Sequence, residues 1–191
     1  MRDQLGSLVE VVEQLIDVFE DAQIPYALGG AIAYSTWAEP RATRDIDLNV
    51  WLDIEHFEPA FAALERCGVD LDRAAARRGA EERGMFVVYR GEYRIDVFVP
   101  SVPFYAEALM RRQRVRLAAR DTWVLSPESL VVFKMLFYRP KDLADVARLL
   151  DIQGKSFDST FVRQWLVNML GEGDERIATW DRLVRTHREH S

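Results

Sequence analysis

Cysteine is almost missing from this chain: Cys67 is the one copy in 191 residues. That excludes an intramolecular disulfide and any multi-cysteine zinc site, and it fits a reducing cytoplasm. Histidine is nearly as scarce. The three are His56, His187 and His190, the last two in a tail expected to fray, so histidine catalysis or a zinc site has little to stand on. No apolar run approaches the ~18 residues of a membrane span. The acidic, periodic start "MRDQLGSLVEVVEQLIDVFEDA" lacks the basic and greasy blocks of a signal peptide. A cytoplasmic protein with no membrane partner is expected. The fingerprints G-x-G-x-x-G, G-x-x-x-x-G-K-[ST] and G-x-S-x-G are also absent, which removes the usual dinucleotide, P-loop and serine-hydrolase readings.

What is present reads as a folded chain, 49% hydrophobic and 29% charged, long enough for one large domain or two small ones sharing a core. Leu5, Leu8, Val12, Leu15, Ile16 and Phe19 recur at helical spacing and predict a helix over 5–21, stopped by Pro25. "YALGG" reads as a short strand entering a glycine turn, with "AIAYSTWA" as a short helix after it. "DIDLNVWL" is a strand with Ile46, Leu48 and Val50 on one face and Asp45, Asp47 and Asn49 on the other. A helix over 55–67 closes at Gly68.

"MFVVYR" and "YRIDVFV" form a hairpin around Gly91, with Ile95, Val97 and Val99 on one face and Asp96 and Phe98 on the other. "PFYAEALMRR" is helical and "RVRLAARDTWVL" supplies one or two more strands. From the N-cap Ser126 and Pro127 onward the pattern is helical four times over. The expected class is α+β: a mixed sheet flanked by helices over 1–125, then a packed C-terminal helical bundle over 126–191. Trp37, Trp51, Trp123 and Trp165 are expected in the core or at its margin.

Net charge is -6, so the chain as a whole does not attract nucleic acid indiscriminately. Local charge is uneven. "MRRQRVRLAAR" carries Arg111, Arg112, Arg114, Arg116 and Arg120 with no acid, and "RAAARRGAEER" adds Arg73, Arg77, Arg78 and Arg83 beside Glu81 and Glu82. These are either grips for a phosphate-rich substrate or solvated faces.

The strand acids are harder to explain as decoration. Residues two apart on a strand lie about 6.6 Å apart and point the same way, so Asp45 and Asp47 converge on one patch. Like charges there are destabilising unless a cation sits between them. Asp96, on another strand with the same apolar-in, acid-out alternation, could supply a third carboxylate. Oxygen donors of this kind suit Mg²⁺, with Mn²⁺ possible. Two such ions about 3.5–4 Å apart would clamp the attacking and leaving oxygens of an in-line phosphoryl or nucleotidyl transfer. A glycine turn opening a helix offers backbone N–H groups to phosphate oxygens, although a Gly-Gly pair alone is commonplace in turns.

The ordered set Gly29-Gly30, fourteen residues, Asp45-Ile46-Asp47 and a distant strand bearing Asp96 resembles the DNA polymerase β-type nucleotidyltransferase superfamily. "PRATRDIDLNV" and "LVVFKMLFYRPKDLADVARLL" are similar to the bacterial group of AbiEii-type and MenT-like toxin nucleotidyltransferases, and the likeness spans roughly residues 24–151. The resemblance implies an NTP as donor, held by Gly29 and Gly30. It gives Asp45 and Asp47 to two metal ions, and Asp96 to the catalytic metal and to deprotonation of the incoming hydroxyl. Lys134 would contact phosphate. Asp142 and Asp145 match the following acidic motif. Asp142 could equally favour its helix N-terminus, and Asp145 could pair with Arg148 or Lys141. Arg41 and Arg44 would touch phosphates or neutralise the carboxylates. The second glycine stands where the wider superfamily often has serine, so a hydroxyl contact to phosphate is lost. The acceptor stays open: a tRNA 3′ end fits the toxin likeness and the arginines, while a protein hydroxyl or a small molecule such as an aminoglycoside fits the size. A toxin would also need an antitoxin protein as partner, and a non-catalytic nucleotide-binding module on the same fold is the rival reading.

Overall fold

The computed structural model describes residues 7–190, with side chains through His187; Leu5, assigned above to the first helix, lies outside the described residues. The chain divides into two compact units. One comprises Met1–Ile32 and Ala42–Val124, the other Ala33–Arg41 and Leu125–Ser191.

The first unit contains α1 (Leu8–Asp21), β1 (Tyr26–Leu28), the opening of α2 (Gly30–Trp37), β2 (Asp45–Val50), α3 (Glu58–Arg66), α4 (Arg73–Arg83), β3 (Met85–Arg90), β4 (Tyr93–Phe98), α5 (Phe104–Arg111), β5 (Gln113–Leu117) and β6 (Arg120–Val124). Six strands form one sheet in the order β3-β4-β2-β1-β6-β5. β1–β2, β3–β4 and β5–β6 pair antiparallel, while β2–β4 and β1–β6 run parallel. The sheet is therefore mixed and the class α+β, as the alternation of patterns predicts.

Local chemistry explains the elements. Ser7 caps α1: its backbone N–H donates to Glu10 at 2.7 Å and its hydroxyl accepts from the Glu10 N–H at 3.4 Å, a reciprocal box that satisfies two helix-end donors. Val11, Val12, Leu15, Ile16 and Phe19 of α1 are buried. Phe57, Phe61 and Phe86 pack edge to face with centroids 5.1–5.9 Å apart, each ring removing enough apolar surface to stabilise the fold by about 2–3 kcal/mol. Burial pushes the Cys67 thiol up to about 11, which makes it an inert core residue rather than a nucleophile.

The sequence pattern does not announce α4. Its buried residues are Ala76, Gly79 and Ala80, too small to write an amphipathic stripe. A Cβ at Gly79 would stand 3.0 Å from the Met85 carbonyl and 3.3 Å from Phe86 Cβ, so glycine lets the helix lie close on β3. Asp72 caps its start through the Ala75 N–H at 3.0 Å, and Gly84 ends it at φ +69°.

The second unit holds α6 (Pro127–Phe137), α7 (Pro140–Gln153), α8 (Ser159–Leu170) and α9 (Glu175–His190), with most of α2. Ser126 caps α6 by accepting from the Ser129 N–H at 3.1 Å, with Pro127 at the first helical position. Val146, Leu149, Val162, Leu166, Ile177 and Trp180 fill its core. Trp180 is the fully enclosed tryptophan; Trp37, Trp51, Trp123 and Trp165 are half-buried. Among the described residues no helix is long and apolar enough to cross a membrane.

Candidate active site

Strand register assembles the acids. β2 and β4 pair in parallel with Asp45 opposite Arg94, Ile46 opposite Ile95, Asp47 opposite Asp96 and Leu48 opposite Val97. Ile46, Leu48, Ile95 and Val97 are buried, and slipping the pairing by one residue would turn them all to the other face. Core packing therefore sets Asp47 and Asp96 side by side across neighbouring strands, about 4.8 Å apart in the pairing direction, with Asp45 about 6.6 Å farther along β2. Asp45 is exposed, and Asp47 and Asp96 are half-buried. Two ionised carboxylates near 5 Å repel by roughly 1–3 kcal/mol at surface-like dielectric. Asn49, the next residue of that face, is buried and its Nδ2 donates to the Ala27 carbonyl at 3.3 Å, which closes the polar strip at one end.

The glycine turn is fitted to the same place. The Gly29 N–H donates to the Asp47 carbonyl at 2.8 Å; that group is thus committed to β2 rather than offered to a phosphate. Gly30 opens α2 at φ +48°, and a Cβ there would collide with the Asp47 carboxylate. Only glycine allows both the backbone angle and the close approach.

Arg94 supplies the cation at this patch. Its Nε donates to Asp96 Oδ1 at 2.7 Å, and that bond and charge hold the guanidinium above its ordinary pKa. Sequence reading passed over Arg94, although its place two residues before Asp96 on one strand is the signal that would have found it. Among the described residues no three His, Cys, Asp or Glu side chains stand together so as to hold a metal ion as they are. The donor set nonetheless suits Mg²⁺ or Mn²⁺: hard carboxylate oxygens from Asp47, Asp96 and Asp45 on one sheet face, with the Asp47 carboxylate seated where a side chain at Gly30 would otherwise stand. Arg44 is exposed, its Nη1 3.6 Å from Glu92.

The second unit has its own charged cluster. Lys134 is 5% exposed; its Nζ donates to Asp145 at 2.6 Å and lies 3.6 Å from Asp142. Arg41 donates to the other Asp145 oxygen at 2.9 Å. Tyr34 places its ring 5.8 Å from the ammonium and 5.4 Å from the Arg41 guanidinium. Asp145 thus pairs with these two cations, while Arg148 takes Glu39. Asp142 accepts from the Arg139 backbone at 3.3 Å and its Nε at 2.6 Å, the helix-start role open to it in the sequence.

Burial works against ionising Asp142, but the Arg139 bonds and the Lys134 charge outweigh it and hold its carboxyl below the usual carboxylate range. A carboxylate so depressed stabilises the fold above about pH 4 and stops doing so as pH falls through its lower native value. Asp142→Asn should flatten the pH dependence of the melting temperature below about pH 4, read by circular dichroism; an unchanged slope would show that Asp142 carries none of the acid sensitivity.

The basic run is not a free surface. Arg111 pairs with Glu107, Arg114 with Glu20, Arg116 with Asp121 and Arg120 with Asp17, while Arg112 stacks 4.4 Å over Trp123. Arg73 and Arg77 are likewise taken by Glu58 and Glu65. Glu107 and Asp121 are sequence neighbours of the run, whereas Glu20 and Asp17 come from α1, where a local reading could not find them.

Neither a family model nor a curated protein matches the sequence. Solved structures do. The crystal structure of ANT(2″)-Ia in complex with adenylyl-2″-tobramycin superimposes with a TM-score of 0.59 at 15% identity, covering 97% of this chain and 99% of that one. The solution structure of the same antibiotic-resistance factor gives 0.59 at 15% identity, over 95% and 96% of the two chains. The fold is that of the nucleotidyltransferases. A third structure, that of the lincosamide antibiotic adenylyltransferase LnuA in its lincomycin-bound form, gives 0.51 at 16% identity over 75% of this chain and 96% of that one. The likeness is one of backbone, and within the nucleotidyltransferase fold the AbiEii-type and MenT-like likeness rests on sequence motifs alone.

Proposed function

We propose that the chain is a nucleotidyltransferase that moves an NMP from an NTP to the hydroxyl of a small, positively charged acceptor. In this reaction the acceptor oxygen bonds to the α-phosphorus, the bond from that phosphorus to the bridging oxygen breaks, and pyrophosphate leaves with the electron pair. The observation that carries the reading is the register of Asp47 with Asp96 beside a glycine whose missing side chain makes room for the Asp47 carboxylate. Divalent cations held by Asp45, Asp47 and Asp96 would neutralise the triphosphate and polarise the reacting oxygens. Asp96 is also the carboxylate assigned to accept the acceptor's proton. With the Gly29 N–H tied to Asp47, any phosphate contact at the turn falls to Gly30 and the start of α2. Lys134 would have to exchange Asp145 for a phosphate oxygen to play the part its motif implies.

For the acceptor, a small cation is favoured over tRNA. Four of the five arginines in the run that supported tRNA pair with acids, the net charge is -6, and two proteins of this fold are seen with tobramycin adduct or lincomycin. The toxin reading, with an antitoxin partner, draws on motif likeness alone. The test is transfer of α-labelled NTPs in Mg²⁺ to separate panels of aminoglycosides and lincosamides, tRNA and protein extract. Label on a small amine-bearing acceptor is expected. Label on tRNA alone would overturn the acceptor assignment, and nucleotide binding with no transfer anywhere would favour a non-catalytic module.

A further inference from the structure

We propose that Arg94 is a built-in stand-in for the divalent cation, holding Asp96 until metal and triphosphate arrive together. This rests on the reading of Asp45, Asp47 and Asp96 as metal ligands and adds to it a residue that controls their occupation. Arg94 lies between two of the three acids: it donates to Asp96 at 2.7 Å and stands in register with Asp45. Its positive charge offsets part of the repulsion among carboxylates that no core contact requires. The same bond ties up one oxygen of Asp96, and among the described residues no three acids are gathered so as to hold a metal ion. The guanidinium therefore competes with a metal ion for Asp96.

The pair is built to be broken. Arg94 is 44% exposed and Asp96 16%, and pairs this open to water are worth at most about 1 kcal/mol, a barrier of about fivefold in metal affinity. A buried pair would block the site, and no pair would leave the acids repelling. Once displaced, the guanidinium remains on the strand face as a fork suited to phosphate oxygens. Metal alone therefore meets a competitor, whereas metal with a triphosphate gives that competitor a new partner. Arg94 couples the two binding events.

The test is Mn²⁺ affinity of the full chain, read from the electron paramagnetic resonance signal of free Mn²⁺, without and then with an α,β-non-hydrolysable NTP analogue. Arg94→Gln should tighten Mn²⁺ alone about fivefold and reduce the further gain produced by nucleotide. Arg78→Gln, which removes the same charge from an exposed position elsewhere in the unit, should change neither. Asp47→Asn should weaken Mn²⁺ at least about tenfold. If Arg94→Gln binds no tighter than Arg78→Gln while Asp47→Asn is weakened, the stand-in role is wrong and the metal site stands. If Asp47→Asn also leaves affinity unchanged, the metal site itself is wrong. Arg94→Met, with the same expected result, covers the case in which Arg94→Gln does not fold by circular dichroism.

Discussion

Gly30→Ala should reduce nucleotidyl transfer by about 10²-fold or more while the protein still folds. Two costs meet at this residue. A φ of +48° is a left-handed angle that costs an alanine about 1 kcal/mol, and the new methyl would enter the space of the Asp47 carboxylate. The backbone cost is small beside the stability of a domain this size. The steric cost is different, because Asp47 sits on a strand whose register is fixed by Ile46 and Leu48 and cannot back away. The carboxylate must rotate off its place, and displacements of about 1 Å at a reacting centre cost on the order of 10²-fold. Steady-state label transfer, with a melting curve for each variant, separates the two costs. A Gly30→Ala protein within tenfold of wild-type activity would show that Asp47 does not need this position.

Lys134→Met should destabilise the protein by about 3 kcal/mol, the low end of the range for orphaning a buried charge. The ammonium is shared by Asp145 and Asp142, which are 5% and 1% exposed. Neither acid is left wholly alone, since Arg41 still reaches Asp145 and Arg139 still reaches Asp142, which places the loss at the low end. Adding Asp145→Asn to Lys134→Met should return part of that stability, a coupling that two independent sites would not show. Urea denaturation measures both. A loss under about 1 kcal/mol for Lys134→Met would identify its bonds as the weak pairs of a solvated surface.

Much of this architecture is legible in the sequence because the signals are local. The alternation of "DIDLNV" places Ile46, Leu48 and Val50 inward and Asp45 and Asp47 outward, and the structure buries the first three, exposes Asp45 and leaves Asp47 half-buried. Ser126 and Pro127 announce the start of α6, and Gly91 the hairpin between β3 and β4. What could not be read is non-local. Nothing in the letters says that β2 pairs in parallel with β4 so that Asp47 meets Asp96; long-range pairing is decided by the whole core. The same limit hides the partners of Asp145, which are Lys134 and Arg41 rather than a neighbour one turn away, and the acids of α1 that neutralise Arg114 and Arg120. Helix α4 escaped for another reason: alanine and glycine pack well but leave no hydrophobic period.

The proposed activity requires the carboxylates of β2 and β4 to bind divalent metal beside a triphosphate. Titrating a non-hydrolysable NTP analogue into wild type and Asp47→Asn, with and without Mg²⁺, tests it most directly. Wild type should bind the nucleotide at least about tenfold tighter with Mg²⁺ than without, and Asp47→Asn should show no such gain. Equal Mg²⁺ dependence in the two proteins, or none in wild type, would contradict the account.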